Sequence, residues 1–338
     1  MKKRTTITDI ARELKITAAT VSRALSNHPE ISAVTKQIVK DAAERLDYKP
    51  NKIASSLRSG RTKVIGVLIP TAEHIFFGSV IHGISNIASK NGYDVLIYQS
   101  NESQQFERKG VDAFISARVD GILASIAKNT IDFSHFNYAR SMNIPIAFFD
   151  RVNNDLDIPS ITIDDYAGAY QATEALIQAG YKRIAHISGP LHLKTFANRV
   201  KGYQDALMHN NLLCPSEWIY NGNISIESGR EGLRYFMSLP QKPEAVFGVE
   251  DFTALGVLKE LKEMKIKVPE DFGVIGFCND LFGEHISPSL STVDQQTVVM
   301  GEQAFELLHS LIVEGSQAII EQKIIEPILI LRESTCRK

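Results

Sequence analysis

The sequence predicts an α/β protein in which a small all-α head precedes two doubly wound, parallel-sheet lobes. Three observations support this fold class. The chain has 338 residues, more than the roughly 250 to 300 at which a single hydrophobic core stops growing. Apolar residues in the segment 1–49 recur at helical spacing. From Val64 onward, short apolar runs alternate with longer helical stretches, as in parallel sheets that are covered on both faces.

The head is predicted to contain a helix-turn-helix. Residues 7–15 (ITDIARELK) have apolar side chains at helical spacing, and Thr6 with Asp9 matches the capping-box pattern. After a tight turn, Thr17 is expected to cap a second helix. The shared apolar face of that helix consists of Val21, Ala24 and Leu25. A third helix is expected from about 32 to 47. Its predicted buried stripe consists of Val34, Ile38, Ala42 and Leu46.

Charge is distributed unevenly along the chain. Residues 1–63 carry 14 Lys and Arg against 6 Asp and Glu, whereas the remainder carries 23 against 33. A basic head on an acidic body is typical of a protein that binds nucleic acid. A solvated surface without a partner is the alternative that charge alone leaves open.

The second helix has the side chains that a DNA-reading helix needs. Ala18 and Ala19 let the backbone approach the major groove and can contact thymine methyl groups, while Arg23 can reach guanine edges. The hydroxyl side chains suited to phosphate oxygens are Thr17, Thr20 and Ser22. Taken alone, the same helix could pack in an unrelated bundle.

Residues 50–62 predict a short hinge. Pro50 ends the preceding helix and Asn51 can cap a new one, but the segment IASSLRS has one or two helical turns before Gly60. Such a helix is too short to be stable alone. Its apolar side chains, which would face a second copy or a groove, are Ile53, Ala54 and Leu57.

The segment from ITDIARELK through TVSRALS and YKPN to SSLRSG resembles the head and hinge of the LacI family of bacterial transcription regulators, and the resemblance extends over essentially the whole chain. It implies a helix-turn-helix domain at 1–49, a hinge at 50–62 and a periplasmic-binding-protein-like body at 63–338. It places the second helix in the major groove, Asn51 and Ala54 at the minor groove, and Leu57 as an apolar wedge between base steps. The residues predicted to contact DNA are Thr6, Thr17, Ala18, Ala19, Thr20, Ser22, Arg23, Asn27, Ser32, Thr35, Asn51, Ala54 and Leu57.

The body is predicted to form two lobes with a cleft between them. Strand segments such as VIGVLIP, GILASI and IPIAFFD recur in the second half as RIAHISG, AVFGV and FGVIGF. Segments 291–296 and 324–332 are expected to cross back between the lobes. The N-lobe is therefore assigned to about 63–163 plus 293–323, and the C-lobe to about 164–292 plus 324–338.

Polar and aromatic residues at strand ends are the candidates for binding an effector in that cleft, because ligands of open sheets gather there. The alternative for each is a helix cap or an ion pair within the fold. The predicted effector-binding residues are Phe76, Phe77, Asp150, Arg151, Asp164, Arg199, Ile224, Glu250, Asp251, Cys278 and Asn279, with Asp280 in the same turn.

Three of these positions depart from the family pattern. Glu250 stands where many relatives carry Asn, Cys278 where they carry Asp, and Ile224 where an aromatic residue often stacks on the ligand. A sugar is the first candidate for the effector; a purine, a sugar phosphate and a protein co-regulator are the alternatives.

Other classes of protein are less consistent with the sequence. It has no GxxxxGK[ST], GxSxG or HExxH motif, so neither a cofactor nor an enzymatic activity is predicted, although a sugar-acting α/β enzyme with an appended head is the alternative. No apolar run is long enough for a membrane span, and no signal core follows the first basic residues. Three scattered cysteines fit neither a disulfide framework nor a metal site. A cytoplasmic protein is expected.

The resemblance also implies how the protein works. Two chains pair through their bodies as a homodimer, which places two heads on a near-palindromic operator while the hinges fold in the minor groove. Because no leucine heptad tail follows ILILRESTCRK, a dimer is favoured over a tetramer. An effector that closes the cleft changes operator affinity. Induction and co-repression remain open, since both use the same architecture.

Overall fold

The structure is a computed structural model, and it describes residues 5–48, 60–153, 156–315 and 322–337. The chain divides between Thr62 and Lys63 into two compact units, which are called the head and the body.

The head contains three helices, each with a hydroxyl side chain at its N-cap. The helices are α1 (Ile7–Leu14), α2 (Ala18–Leu25) and α3 (Ala33–Arg45). The caps Thr6, Thr17 and Ser32 each accept a hydrogen bond from the backbone N–H three residues later. The capping box predicted for α1 is confirmed, because Asp9 also accepts from the backbone of Thr6. Lys15 adopts a left-handed conformation at the end of α1 and turns the chain into α2.

The core of the head differs from the prediction at α3. Ile10 of α1 and Val21 of α2 are fully buried, and α3 packs against them through Val39. Ala42 is buried and Leu46 half-buried as predicted, but Val34 and Ile38 are 70% and 50% exposed, so the predicted stripe is wrong in its first half. Apolar residues on α3 form two adjacent stripes at helical spacing, and only packing against α1 and α2 selects the buried one.

The first lobe of the body is built on a six-stranded parallel sheet with the order β11-β5-β4-β3-β1-β2. Its strands are β1 (Val64–Ile69), β2 (Asp94–Gln99), β3 (Gly121–Ala124), β4 (Ile146–Phe149), β5 (Ser160–Ile163) and β11 (Gln322–Ile325). The helices on its two faces are α4 (Ile75–Lys90), α5 (Gln104–Ala117), α6 (Ser134–Ser141) and α12 (Thr297–Glu314). Strands β1, β3 and β4 are almost entirely buried, as expected for a sheet that is covered on both sides.

The second lobe repeats this plan around a four-stranded parallel sheet with the order β7-β6-β8-β9. Its strands are β6 (Ile184–Ser188), β7 (Ile219–Asn221), β8 (Ala245–Gly248) and β9 (Gly273–Ile275). Its helices are α7 (Asp165–Gln178), α8 (Lys194–His209), α9 (Ile226–Ser238), α10 (Asp251–Glu263) and the short α11 (Phe282–His285).

Segments 291–296 and 324–332, which were expected to cross between the lobes, contribute the two strands of a separate antiparallel pair. A two-stranded antiparallel pair, β10 (Thr292–Asp294) with β12 (Ile328–Ile330), adjoins the second lobe, while β11 belongs to the sheet of the first. The chain therefore passes between the lobes three times: after β5, after β10 and between β11 and β12. Strand β11 ends at Ile325, two residues beyond the limit assigned to the N-lobe from the sequence.

Helices α4 and α12 cross in close contact on one face of the six-stranded sheet. A Cβ atom on Gly83 would lie 2.2 Å from the carbonyl oxygen of Val298, and one on Gly301 would lie 2.1 Å from that of Val80. Neither helix could approach so closely with a larger residue at the crossing.

Candidate DNA interface and effector cleft

The start of α2 presents small, exposed side chains. Ala18, Ala19 and Arg23 are all exposed, whereas Val21 and Ala24 on the opposite side are buried in the core of the head. The hydroxyl of Thr17 accepts the backbone N–H of Thr20 at 3.1 Å, so its first role is to cap the helix. The amphipathic pattern read from the sequence thus leaves the predicted DNA-reading face open to solvent.

Arg23 is held only weakly. Its guanidinium lies 3.5 Å from the carboxylate of Glu30, and the two side chains are 58% and 69% exposed. An exposed pair of this kind contributes at most about 1 kcal/mol, so Arg23 can exchange Glu30 for a guanine edge at little cost. Asn27, also a predicted DNA contact, is exposed with a left-handed backbone just after α2.

The net positive charge of residues 1–63 comes from outside the three helices of the head. Residues 5–48 contain 6 Lys and Arg and 6 Asp and Glu, so the excess of eight positive charges comes from residues 1–4 and 49–63. Most of this excess, together with Asn51, Ala54 and Leu57, lies outside the described residues. Within the helices, the capped N-termini at Thr6, Thr17 and Ser32 are the groups suited to phosphate oxygens.

A partly open cavity of about 60 Å³, called the inner cavity, lies between the lobes at the ends of their strands. Eight of the predicted effector-binding residues line it: Phe76, Phe77, Asp150, Arg151, Arg199, Ile224, Glu250 and Cys278. Asp280, from the turn that follows β9, lines it as well. Four lining residues were missed by the sequence analysis: His74, Thr195, Phe196 and Gln295. They precede or begin a helix or lie on a crossing segment, so no strand-end pattern identified them.

Three predicted residues lie outside the inner cavity. Asp164 caps α7 by accepting from the backbone of Ala167 at 2.9 Å, and it lines an adjoining outer cavity of about 460 Å³. Asn279 bonds to Asp294 and to Arg332, both near crossing segments. Asp251 is fully buried behind the cavity wall.

Arg199 is engaged on every side. Its Nε donates to Asp165 at 2.8 Å, its Nη1 to the carbonyl of Val249 at 2.7 Å and its Nη2 to Gln295 at 3.3 Å. The guanidinium also lies 3.7 Å from the ring centroid of Phe277. Burial raises the pKa of Asp165 to about 6, an effect that the nearby charge of Arg199 opposes.

Asp150 and Arg151 form the opposite wall, contributed by the first lobe. Ser125 donates to Asp150 at 3.1 Å, and Arg151 forms an ion pair with Glu102 at 2.8 Å. Burial raises the pKa of Asp150, while the charge of Arg151 opposes the rise. Asp150 has a left-handed backbone, with a φ of 59°.

Two carboxylates of the second lobe are satisfied by the fold. Glu250 is the N-cap of α10 and accepts from the backbone and the hydroxyl of Thr253 at 2.7 and 2.8 Å. Asp251 accepts from the hydroxyl of Thr292 and the backbone N–H of Asp280, each at 2.7 Å. Burial raises the pKa of Asp251 to about 7.

The turn after β9 is shaped around Asp251. A Cβ on Gly276 would lie 2.1 Å from the Oδ1 atom of Asp251, so the VIGF segment needs its glycine at this place. Cys278 follows with a φ of 130°, and its sulfur lies 2.9 Å from Nε2 of Gln295. Burial raises the pKa of the Cys278 thiol, so at neutral pH it is a neutral lining group.

The cleft is therefore chemically suited to binding a small polar molecule. Aromatic rings and Ile224 line the inner cavity together with carboxylates and two arginines, as in a specific ligand pocket. Within the described ranges, no group of three His, Cys, Asp or Glu residues is arranged to hold a metal ion.

Comparison with known proteins identifies the family. Residues 6–51 match the bacterial regulatory proteins of the lacI family, and residues 173–335 match the periplasmic binding protein-like domain. Catabolite control protein A of Priestia megaterium is 32% identical over 304 residues, which cover 90% of this chain and 91% of that protein. The chain belongs to the LacI family.

Other LacI-family proteins align with almost the whole chain. The HTH-type transcriptional repressor CytR of Escherichia coli (strain K12) is 31% identical over 331 residues, covering 98% of this chain and 96% of that protein. The lac repressor dimer bound to operator and the anti-inducer ONPF has a TM-score of 0.88 and 23% identity, covering 98% and 99% of the two chains. This LacI-family chain is a DNA-binding transcription regulator and not an enzyme. In the described part of the LacI-family chain, no helix is both long and apolar enough to cross a membrane.

Proposed function

We propose that this LacI-family regulator is a repressor that binds a near-palindromic operator as a homodimer, and that a small molecule in the cleft controls its operator affinity. A sugar or sugar derivative is the first candidate for that effector. The observation that carries the proposal is the face of α2, where exposed Ala18 and Ala19 adjoin a weakly paired Arg23. Such a regulator acts in the cytoplasm, where the chromosome is.

The proposed roles follow the organisation of the chain. We assign residues 1–49 to DNA binding, 50–62 to a hinge and 63–338 to effector binding and dimerisation. Dimerisation is supported by β2, an edge strand of the six-stranded sheet on which Leu96 and Ile97 are 40% and 47% exposed. The resemblance to a repressor solved as a dimer on its operator supports the same assembly.

Effector control would act through the crossing segments. Asp150 and Arg151 belong to one lobe, while Arg199 and Glu250 belong to the other, and all four line the inner cavity. A molecule that bonds both pairs stabilises one separation of the lobes. The expected coupling to operator binding is about 1 to 3 kcal/mol, or roughly 5- to 150-fold in affinity.

Footprinting of the purified full chain on bacterial genomic fragments tests the proposal. We expect protection of a near-palindrome whose half-sites lie about one helical turn of DNA, or a multiple of it, apart. Thermal-shift screening against sugars, sugar phosphates and nucleobases would then identify compounds for a second round of footprinting. Failure to protect any palindrome, with and without these compounds, would contradict the proposed function.

A further inference from the structure

Asp280 is a largely buried carboxylate for which the described residues provide no hydrogen-bond donor. It is only 6% exposed and lines the inner cavity, and its side-chain oxygens have no hydrogen-bond or ion-pair partner among the described residues. Asp150, Glu250 and Asp251 all have hydrogen-bond donors from the protein. Because a carboxylate that is mostly removed from water gains from a hydrogen-bond donor, Asp280 is a group that a ligand can complete.

The surroundings of Asp280 favour a positively charged partner. Burial raises the pKa of Asp280 to about 7, and repulsion from the nearby Glu250 carboxylate adds to this rise. The two arginines that line the cavity are already engaged, Arg199 by Asp165 and Arg151 by Glu102. The negative charge of Asp280 and Glu250 therefore exceeds the positive charge that the two arginines can offer to Asp280.

An organic cation fits this place better than a metal ion. The Glu250 carboxylate accepts hydrogen bonds at the start of α10, and the Asp251 carboxylate accepts them from Thr292 and from the backbone of Asp280. No metal-holding group of three His, Cys, Asp or Glu exists in the described part of the chain. A protonated amine needs only one carboxylate and supplies three donors.

The cleft has room for a ligand that reaches Asp280. The inner cavity has room for roughly four water molecules, which suits an amine and the carbon atoms next to it. The outer cavity of about 460 Å³ shares Asp150, Arg151 and Thr195 with the inner one. It can hold the polar remainder of the molecule.

We propose that the effector carries a protonated amine, as an amino sugar does, and that Asp280 is the residue that recognises this amine. The proposal rests on the proposed function, in which a small molecule in the cleft controls operator binding. It deepens that function by assigning the effector to the cationic compounds. The ammonium group donates to the Asp280 carboxylate, and the rest of the molecule contacts both lobes.

A matched panel of compounds tests the proposal on the full-length protein. Glucosamine, galactosamine, mannosamine, cadaverine and spermidine are the amines, and the parent sugars with the N-acetylated amino sugars are the neutral controls. Binding is followed by thermal shift and operator response by fluorescence anisotropy. We expect at least one amine to bind and change operator affinity, at concentrations where its neutral counterparts do neither.

Two substitutions locate the effect. Asp280→Asn removes the charge and should weaken binding of that amine by about tenfold or more, whereas Asp280→Glu should retain much of it. Glu284→Gln is the matched control, because it removes the same charge from an exposed residue of the neighbouring helix and should leave binding unchanged. If Asp280→Asn does not fold, Asp280→Glu and the wild-type comparison of amines with their N-acetyl forms still decide the question.

Four outcomes overturn the proposal. Two concern the compounds: no amine of the panel binds, or a neutral compound binds as tightly as its amine. Two concern the substitution: Asp280→Asn binds the amine unchanged, or it abolishes a thermal shift that 1 mM Mg²⁺ or Ca²⁺ gives with the wild type. A neutral compound that releases or strengthens operator binding would leave the proposed function intact. Failure of the proposed function would be recognised separately, by the absence of any operator footprint.

Discussion

Arg199 and Asp165 form a buried ion pair within the second lobe, with Nε of the arginine 2.8 Å from Oδ1 of the aspartate. The pair joins α8 to α7, while the same guanidinium borders the inner cavity. Arg199 therefore supports the fold as well as the candidate effector site. A substitution at this residue is expected to change both stability and effector response.

Arg199→Ala should destabilise the body by about 3 to 5 kcal/mol, because it leaves the Asp165 carboxylate buried without its partner. The response to any effector should be lost as well. Urea unfolding of the full chain measures the first effect. Lys201→Ala, an exposed change on the same helix, is the control, and the double substitution Arg199→Met with Asp165→Leu should recover much of the loss. Equal stabilities for Arg199→Ala and Lys201→Ala would show that the pair contributes nothing.

Arg23→Ala should lower the preference for operator over random DNA by about 1 to 3 kcal/mol, since it removes a base-edge contact. Affinity for random DNA should change less. Competition binding with operator and scrambled duplexes measures the ratio. Arg12→Ala removes an equally charged, exposed residue from α1 and should leave the ratio unchanged. The same fractional loss of affinity on both duplexes for Arg23→Ala would rule out base reading.

Leu57→Ala should weaken operator binding and leave the homodimer intact, because the predicted wedge acts only on the central base step of the DNA. The residue lies outside the described part of the chain, so this prediction rests on the sequence. Operator titration and sedimentation of the free protein measure the two properties. Unchanged operator affinity would argue against the hinge assignment.

The unliganded protein should lose stability as the pH rises from about 4 to 7, because Asp251 and Asp280 have folded-state pKa values of about 7 against about 3.9 when unfolded. In that interval the folded state keeps protons that the unfolded state has released. The carboxylate of Glu250 faces the same site, and burial is the main cause of both shifts.

Asp280→Asn removes one of the two carboxyl groups that stay protonated in the folded state over this pH interval. The variant should gain about 2 to 3 kcal/mol over the wild type when the comparison moves from pH 5 to pH 8. Urea unfolding at the two pH values gives the difference, and Glu284→Gln should follow the wild type. A parallel pH dependence in Asp280→Asn and the wild type would contradict the raised pKa.

Gly83→Ala should destabilise the first lobe by about 1 to 3 kcal/mol, because its methyl group would meet the backbone of α12. Gly78→Ala is the control in the same helix. Its Cβ would have no neighbour within 4 Å, so better helix propensity should add up to about 1 kcal/mol. Thermal unfolding of the two variants should give shifts of opposite sign. A matching shift in both would mean that the helix crossing adapts without cost.

Much of the fold follows from patterns that are local in sequence. The caps Thr6 and Thr17 could be recognised because each bonds to a backbone group three residues away. Strand segments were recognisable as apolar runs that the sheets bury on both faces. Asp164 shows the limit of this reasoning, since a strand-end carboxylate that suggests a ligand contact also serves as the cap of α7.

Local pattern and family motif were thus sufficient to locate the helix that is predicted to read DNA, the alternation of strands and helices and eight of the residues that line the inner cavity. Which stripe of α3 is buried, and which polar group of the cleft is satisfied, depends on partners far along the chain. Asp165 meets Arg199 across 34 positions and Asp251 meets Thr292 across 41, whereas the carboxylate of Asp280 has no hydrogen-bond partner in the described residues. Those contacts exist only in the folded chain, because packing and burial, rather than the neighbouring sequence, decide where each side chain finds its hydrogen bonds.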